Sequence, residues 1–365
     1  MFRARAAQTW RSRRVTASSF SGRVIARRRY CRGQSRARAG QEPAWSTWTA
    51  GSFALGGAAS HNIVDSSSSS GNRNGNHEDD DDDDDDSLST NNMSASLIPA
   101  NPDDVMVIRH VTPNVVTFSV PFSRFGRIKI GGRGTLVKLT SGSLAVFSPA
   151  ALTEESKAKV AELGGQVAYI VALDFEHHIF ISEWAKQYPG AKIIGPEGLL
   201  EKRAKQHKDP KINNDSFAVV FTKANKHSVK IGDDFDADFD YEYVDGHANK
   251  EIVFHYKPDR VLIEADLMFN LPAVEQYSRV PDGQKPGGLA DRLFQSTQST
   301  AGDATWMKRF NWYLTAKDRP SLNESVKRID QWDFTTLIPC HGDVIEGNAK
   351  DMFRKVFQWH LQGKK

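Results

Sequence analysis

Cysteine is nearly absent from this chain: Cys31 and Cys340 are the two among 365 residues. So few cannot make a disulfide scaffold, and the fold has to rest on an ordinary apolar core. Long apolar runs are missing as well; no stretch approaches the roughly 18 residues that a membrane-spanning helix needs. Acids are missing from residues 1–40, which carry 12 Arg and no Lys. Bases are all but missing from residues 41–100, where Arg73 stands against 11 acids, eight of them the run Asp79–Asp86. The rest of the chain balances 35 bases against 34 acids. That near-neutrality excludes a basic nucleic-acid-binding domain from the part able to fold. The net charge of +3 is therefore an average over two opposed blocks and a neutral remainder.

The first block, rich in Arg, Ser and Ala, has the composition of a mitochondrial transit peptide, and the lack of an apolar core segment disfavours a secretory signal. A mitochondrial destination is the expectation, a cytoplasmic one the alternative. Residues 41–102 read as a low-complexity linker: Ser66–Ser70, an Asn/Gly patch, then the Asp run, whose carboxylates repel one another and have nothing apolar to bury. The run lacks the Gly and the spaced ligands of an EF-hand. A nucleic-acid or partner-binding role for the Arg head and Asp run together finds no support in the neutral remainder.

Residues 103–365 read as the folded domain. Short β-rich runs at 105–111, 115–120, 127–130, 135–139 and 143–147, separated by turn residues, suggest an antiparallel meander, with Gly131-Gly132-Arg133-Gly134 as a hairpin turn. An alternating pattern follows. A helix capped by Thr153 runs to Leu163, then an almost wholly apolar strand occupies 167–173. Helices are expected near 179–187 and 197–205, strands at 192–194, 218–221, 227–231, 239–244, 251–256 and 260–264. Residues 270–304 read as irregular, a lid or an insertion. Helices near 306–315 and 322–332, a strand at 335–338 and a closing helix at 349–361 complete the reading.

The residues able to carry chemistry lie at strand ends, where ligand sites of layered α/β folds tend to form. Asp174-Phe175-Glu176-His177-His178 follows the apolar strand; Asp245-Gly246-His247 is a tight turn; Asp266 ends the 251–264 hairpin; Pro339-Cys340-His341-Gly342 follows the last strand. In an extended segment residues i and i+2 point the same way, so Asp174 and Glu176 are expected to aim at one point. Imidazoles and carboxylates from separate strands can then close around zinc, iron or manganese.

In this order the motifs resemble the metallo-β-lactamase superfamily, which includes glyoxalase II-like hydrolases. The resemblance spans roughly residues 103–365 and implies an αββα four-layer sandwich, two mixed β-sheets flanked by helices. Asp245-Gly246-His247 resembles the family's Gly-His turn, Val261–Asp266 the hairpin ending in a bridging Asp, and Ile338–Gly342 the final His turn. The first motif, H-x-H-x-D-H in the family, here reads Ala172-x-Asp174-x-Glu176-His177, so both early His are absent and Glu replaces Asp. The resemblance then implies one metal position with Glu176, His177, Asp266 and His341, and another with His247, the shared Asp266 and Asp174. His178 either substitutes for a lost ligand or begins the next helix beside the site. One or two divalent ions, zinc foremost, with Asp174, Glu176 and Asp266 in catalytic roles, imply hydrolysis of an ester, thioester or related small molecule. The alternative is a pseudo-enzyme or binding protein on the same fold. Oligomeric state is left open.

Overall fold

The computed structural model describes Pro99 and residues 101–206 and 208–364. The leader at 1–40 and nearly all of the linker at 41–102 lie outside the described residues. A short helix, α1 (Pro102–Val105), precedes strands β1 (Val107–His110) and β2 (Val115–Val120). A two-stranded hairpin, β3 (Ser123–Arg124) and β4 (Ile128–Lys129), interrupts the run before β5 (Gly132–Lys138) and β6 (Leu144–Phe147). Then come α2 (Glu154–Leu163), β7 (Val167–Val171), α3 (Ile181–Gln187), β8 (Lys192–Pro196), α4 (Leu199–Lys205), β9 (Val219–Phe221) and α5 (Asp233–Asp238). The second half holds β10 (Phe239–Val244), β11 (Glu251–Tyr256), β12 (Val261–Ile263), α6 (Leu289–Thr297), α7 (Thr305–Phe310), α8 (Arg319–Ile329), β13 (Thr336–Ile338), α9 (Ala349–Val356) and α10 (Gln358–Leu361).

Seven strands form one sheet in the order β1-β2-β5-β6-β7-β8-β9, antiparallel as far as β6 and parallel beyond it. The other sheet, β10-β11-β12-β13, is antiparallel except for its last, parallel pair. Side chains alternate between the faces of a strand, and here the alternation feeds three cores. Ala145, Phe147, Tyr169 and Val171 of the larger sheet meet Ile252, Phe254, Tyr256, Val261, Ile263 and Ile338 of the smaller one, which places a core between the sheets. On the outer face of the larger sheet, Val146 and Ile170 pack with Val160 of α2, Ile181 and Trp184 of α3 and Leu199 of α4. On the outer face of the smaller sheet, Val253, Leu262 and Leu337 pack with Met307 of α7, Leu322, Val326 and Ile329 of α8 and Phe353 of α9. Helix, sheet, sheet, helix is the four-layer αββα arrangement expected from the sequence.

Several local expectations need correction. Residues 127–130 do not join the meander; Ile128–Lys129 pair with Ser123–Arg124 in a separate hairpin. The glycines at 132 and 134 are not a turn but lie within β5, and a Cβ on Gly134 would stand 2.7 Å from the Ala150 nitrogen. Residues 227–231 form no strand: Ser228 and Val229 donate back to the Asn225 carbonyl, so that backbone folds into a turn. The acidic stretch after it forms α5, held by buried Phe235. Residues 270–304 are not wholly irregular, since they contain α6, whose start is fixed by Asp291 accepting from the backbone of Gly287 and Gly288. The helix expected at 306–315 changes to π-type winding over Asn311–Thr315.

Candidate metal centre

Each motif sits where a strand of the inner layers runs out. Behind β7 the Asp174 side chain folds the chain back on itself: its Oδ1 accepts from the backbone N–H of Glu176 at 2.8 Å and of His177 at 2.9 Å, and from His177 Nδ1 at 2.9 Å. The segment is therefore bent rather than extended, and Asp174 and Glu176 do not aim at one point. Glu176 turns outward, where Lys202 Nζ donates to its Oε1 at 2.9 Å. His178 turns the other way, buried, with Arg203 Nη1 3.4 Å from its Nδ1 and 2.8 Å from its carbonyl oxygen. Burial, with Lys202 and Arg203 adding to it, pushes the His178 pKa down to about 3. His177 alone of the three is turned into the centre.

His341 arrives from the end of β13. Its Nδ1 donates to the Gly131 carbonyl at 2.6 Å, and its ring lies between Phe269 at 4.7 Å and Phe122 at 5.7 Å. Gly131 has φ +71°, and a Cβ there would fall on the Gln276 side chain. Gln276 in turn donates to the Cys340 carbonyl and accepts from the Gly342 N–H, gripping both neighbours of His341. Cys340 points into the inter-sheet core and is a buried thiol whose pKa burial raises.

Asp266 follows β12. Its own N–H and that of Ala265 both donate to the Glu251 carboxylate, at 3.0 and 2.7 Å. Burial pushes the Glu251 and Glu264 pKa values up, and their mutual repulsion adds to it for Glu264. Asn249 Nδ2 donates to Asp266 Oδ2 at 2.6 Å, while Asp266 Oδ1 lies 3.2 Å from His341 Nε2 without hydrogen-bond alignment.

His177, Asp266 and His341 thus converge, with one ligand atom from each within 4.8 Å of the others. The chemistry of the trio follows from its tautomers. A carboxylate and a carbonyl oxygen can only accept, so the proton of each neutral ring sits on Nδ1, facing Asp174 and Gly131 respectively. The two Nε2 atoms, 3.1 Å apart, then face each other as bare acceptors beside Asp266 Oδ1, a third acceptor. Three lone pairs cannot satisfy one another; a cation between them can. With no metal the cation is a proton. Burial lowers the His177 pKa, but Asp174 and Asp266 more than reverse this and carry it up to about 9. Burial would raise Asp266, but His177 and His341 hold it well below the usual carboxylate range. Two imidazole nitrogens and one carboxylate oxygen are also the donor set of a zinc, iron or manganese site with open positions. The buried atoms without hydrogen-bond partners include Asp266 Oδ1, Asp174 Oδ2 and His247 Nε2, which fits a polar guest at this place.

His247, at the end of the β10 turn, is buried but outside the trio; its Nδ1 accepts from the Asn249 N–H at 3.4 Å. Asp174 serves His177 as hydrogen-bond partner. Asn249, Gln276, Glu251 and the Gly131 carbonyl were not singled out from the sequence. A polar residue two places beyond the Gly-His turn was the one signal available for Asn249.

Residues 123–275 match a family model described as a domain of unknown function (DUF4336). No curated protein matches the sequence. Among solved structures, the chain is similar to the DIM-1 metallo-β-lactamase exposed to ceftazidime, at 11% identity over 71% of this chain and 98% of that one, TM-score 0.43. A metallo-β-lactamase from Pontibacter korlensis shows 14% identity over 70% and 98%, TM-score 0.43. The Flv1 flavodiiron core from Synechocystis sp. PCC6803 shows 12% identity over 70% and 60%, TM-score 0.47. The four-layer description stands on the strand pairings and the three cores, not on these distant likenesses.

Proposed function

We propose that the protein is a metal-dependent hydrolase, with the metal held by His177, Asp266 and His341. The observation that carries the reading is the convergence of a carboxylate oxygen with two imidazole Nε2 atoms whose rings turn their Nδ1–H groups to Asp174 and Gly131. A bound divalent ion supplies Lewis acidity, lowering the pKa of water towards neutrality and polarising a carbonyl or phosphoryl oxygen. Zinc suits the donor set first, with iron and manganese as further candidates.

The chain's own residues have distinct tasks. The Gly131 carbonyl and Phe269 fix the tautomer and plane of His341. Asp174 fixes His177 through Oδ1 and keeps Oδ2 unpartnered, which makes that oxygen the candidate proton acceptor. Glu176 is engaged by Lys202, so the proton role rests with Asp174. The His177 side chain, 16% exposed, is the edge of the trio open to a small-molecule substrate of the ester or thioester class. The fold itself does not choose among such substrates. The Arg-rich leader adds a mitochondrial location to this reading, tested by whether residues 1–40 carry a reporter into mitochondria.

A second reading, a binding protein without turnover, is favoured by the direct 3.1 Å contact of the two rings, which one shared proton would satisfy. The experiment is a panel of ester, thioester and phosphoester substrates offered to the chelated and the zinc-reloaded protein. Turnover that follows the metal supports hydrolysis; a fully loaded protein inert to the whole panel favours the second reading.

A further inference from the structure

We propose that the centre is built for a single metal ion and that Asn249 makes it so, its amide standing on the side of Asp266 that a second ion would need. The inference rests on the metal reading above and goes on to the number of ions. A carboxylate joins two ions by giving an oxygen to each. Asp266 has one oxygen free of hydrogen bonds: Oδ1 faces His341, while Oδ2 accepts from Asn249 Nδ2 at 2.6 Å and has one of its two lone pairs engaged. An amide nitrogen is a donor with no lone pair to offer. Facing a carboxylate, it places hydrogen where an ion would lie.

The same residue engages a second candidate ligand. The Asn249 backbone N–H points at His247 Nδ1 at 3.4 Å, and an N–H can only donate. Nδ1 is thereby the acceptor of the neutral ring and Nε2 carries the proton, so the unpartnered nitrogen must give up that bond or that proton before it can ligate. The other candidates on that side are also spent or missing. Asp174 Oδ1 already receives three N–H bonds, and Ala172 has no donor atom. Asp174 Oδ2 remains as a lone oxygen, too little to hold an ion.

Asn249 is itself fixed by its surroundings. Its carbonyl accepts from the Phe175 N–H at 3.1 Å, which ties it to the loop bearing His177. On either side, Ala248 donates to the Thr315 carbonyl and Lys250 donates to the His247 carbonyl. The residue therefore links the three segments that bring His177, His247 and Asp266, and it holds Asp266 with a single oxygen turned to the trio.

The test is the stoichiometry of ion uptake, read without reference to turnover. The full chain, stripped of metal, is titrated with Zn²⁺ by calorimetry and weighed by native mass spectrometry. Wild type is expected to take one ion per chain and Asn249→Asp two, because the substitution frees Asp266 Oδ2 and adds an acceptor beside it. Two ions of similar affinity in wild type, or one ion in Asn249→Asp, overturn the proposal. Should Asn249→Asp fail to fold, Co²⁺ titration of wild type decides: the visible bands saturate at one equivalent if the proposal holds and at two if it does not. Wild type taking up no ion defeats the metal reading and this inference with it, whereas two ions defeat this inference alone.

Discussion

At the scale of single residues the centre is a problem in placing protons. His177 reaches a pKa of about 9 because Asp174 and Asp266 flank it, and the proton it holds occupies the space between the rings. An ion can enter only as that proton leaves. Below pH 9 the apparent metal affinity is therefore expected to rise by about tenfold per pH unit and to level off above it. Calorimetry in buffers of different ionisation enthalpy will show close to one proton released per ion at neutral pH. Affinity independent of pH between 6 and 8 would contradict the assignment of a proton between the two rings. Glu176 gives the opposite expectation. Its carboxylate is engaged by Lys202, so Glu176→Gln should leave ion uptake within about twofold of wild type, as read by the same titration. Loss of uptake in that variant would return Glu176 to the ligand set.

These residues also show what a sequence can and cannot reveal. His177, Asp266 and His341 are legible in sequence because each lies in the loop that leaves a strand and carries a ligand atom. Glu176 was misplaced because the i, i+2 argument assumes extended backbone, and the Asp174 side chain bends it. His178 was undecided in sequence; Arg203, 25 positions away, settles its direction. The Gly131 carbonyl was invisible because every residue has one.

At the scale of elements, the centre depends on how strand ends are tied. Glu251, at the start of β11, receives the N–H groups of Ala265 and Asp266 just beyond β12. Glu251→Ala would leave two buried donors without acceptors, at about 1–3 kcal/mol each. The expected result is a large fall in the denaturation midpoint together with weakened ion uptake, since Asp266 loses its anchor. Glu251→Gln keeps an acceptor oxygen and should lose less. The hairpin of β3 and β4 contributes in the same way: Gly131, just past it, needs its positive φ to present its carbonyl to His341. Gly131→Ala would strain that backbone by about 1–3 kcal/mol and press on Gln276. Strand pairs with continuous apolar runs, such as β6 and β7, were readable in sequence. The two-residue strands β3 and β4 were not, because so short a segment carries no period. Helix α6 was hidden by its Ser, Thr and Gln content and by the glycines that start it.

At the scale of the whole molecule, the four layers bring the loops bearing His177, Asp266 and His341 together where strands of both sheets run out. Stability should also carry a signature of buried neutral histidines far from the centre. His360 is held by Asn323 Oδ1 at 2.7 Å; burial, with Arg319 adding to it, brings its pKa down to about 4. The unfolded chain binds that proton near pH 6.5 and the folded chain does not, so stability is lost as pH falls from about 6.5 towards 4, by about 1.4 kcal/mol per pH unit. Denaturant titrations of His360→Phe should show an acid limb shallower by that amount. An unchanged slope would mean that His360 is protonated in the fold.

Whether His177, Asp266 and His341 hold a metal ion is read most directly by elemental analysis of the full chain purified without chelators, wild type beside His341→Ala. Wild type is expected to carry close to one equivalent of a divalent transition metal and the variant almost none. Metal-free wild type, or equal metal in both proteins, would contradict the metal assignment.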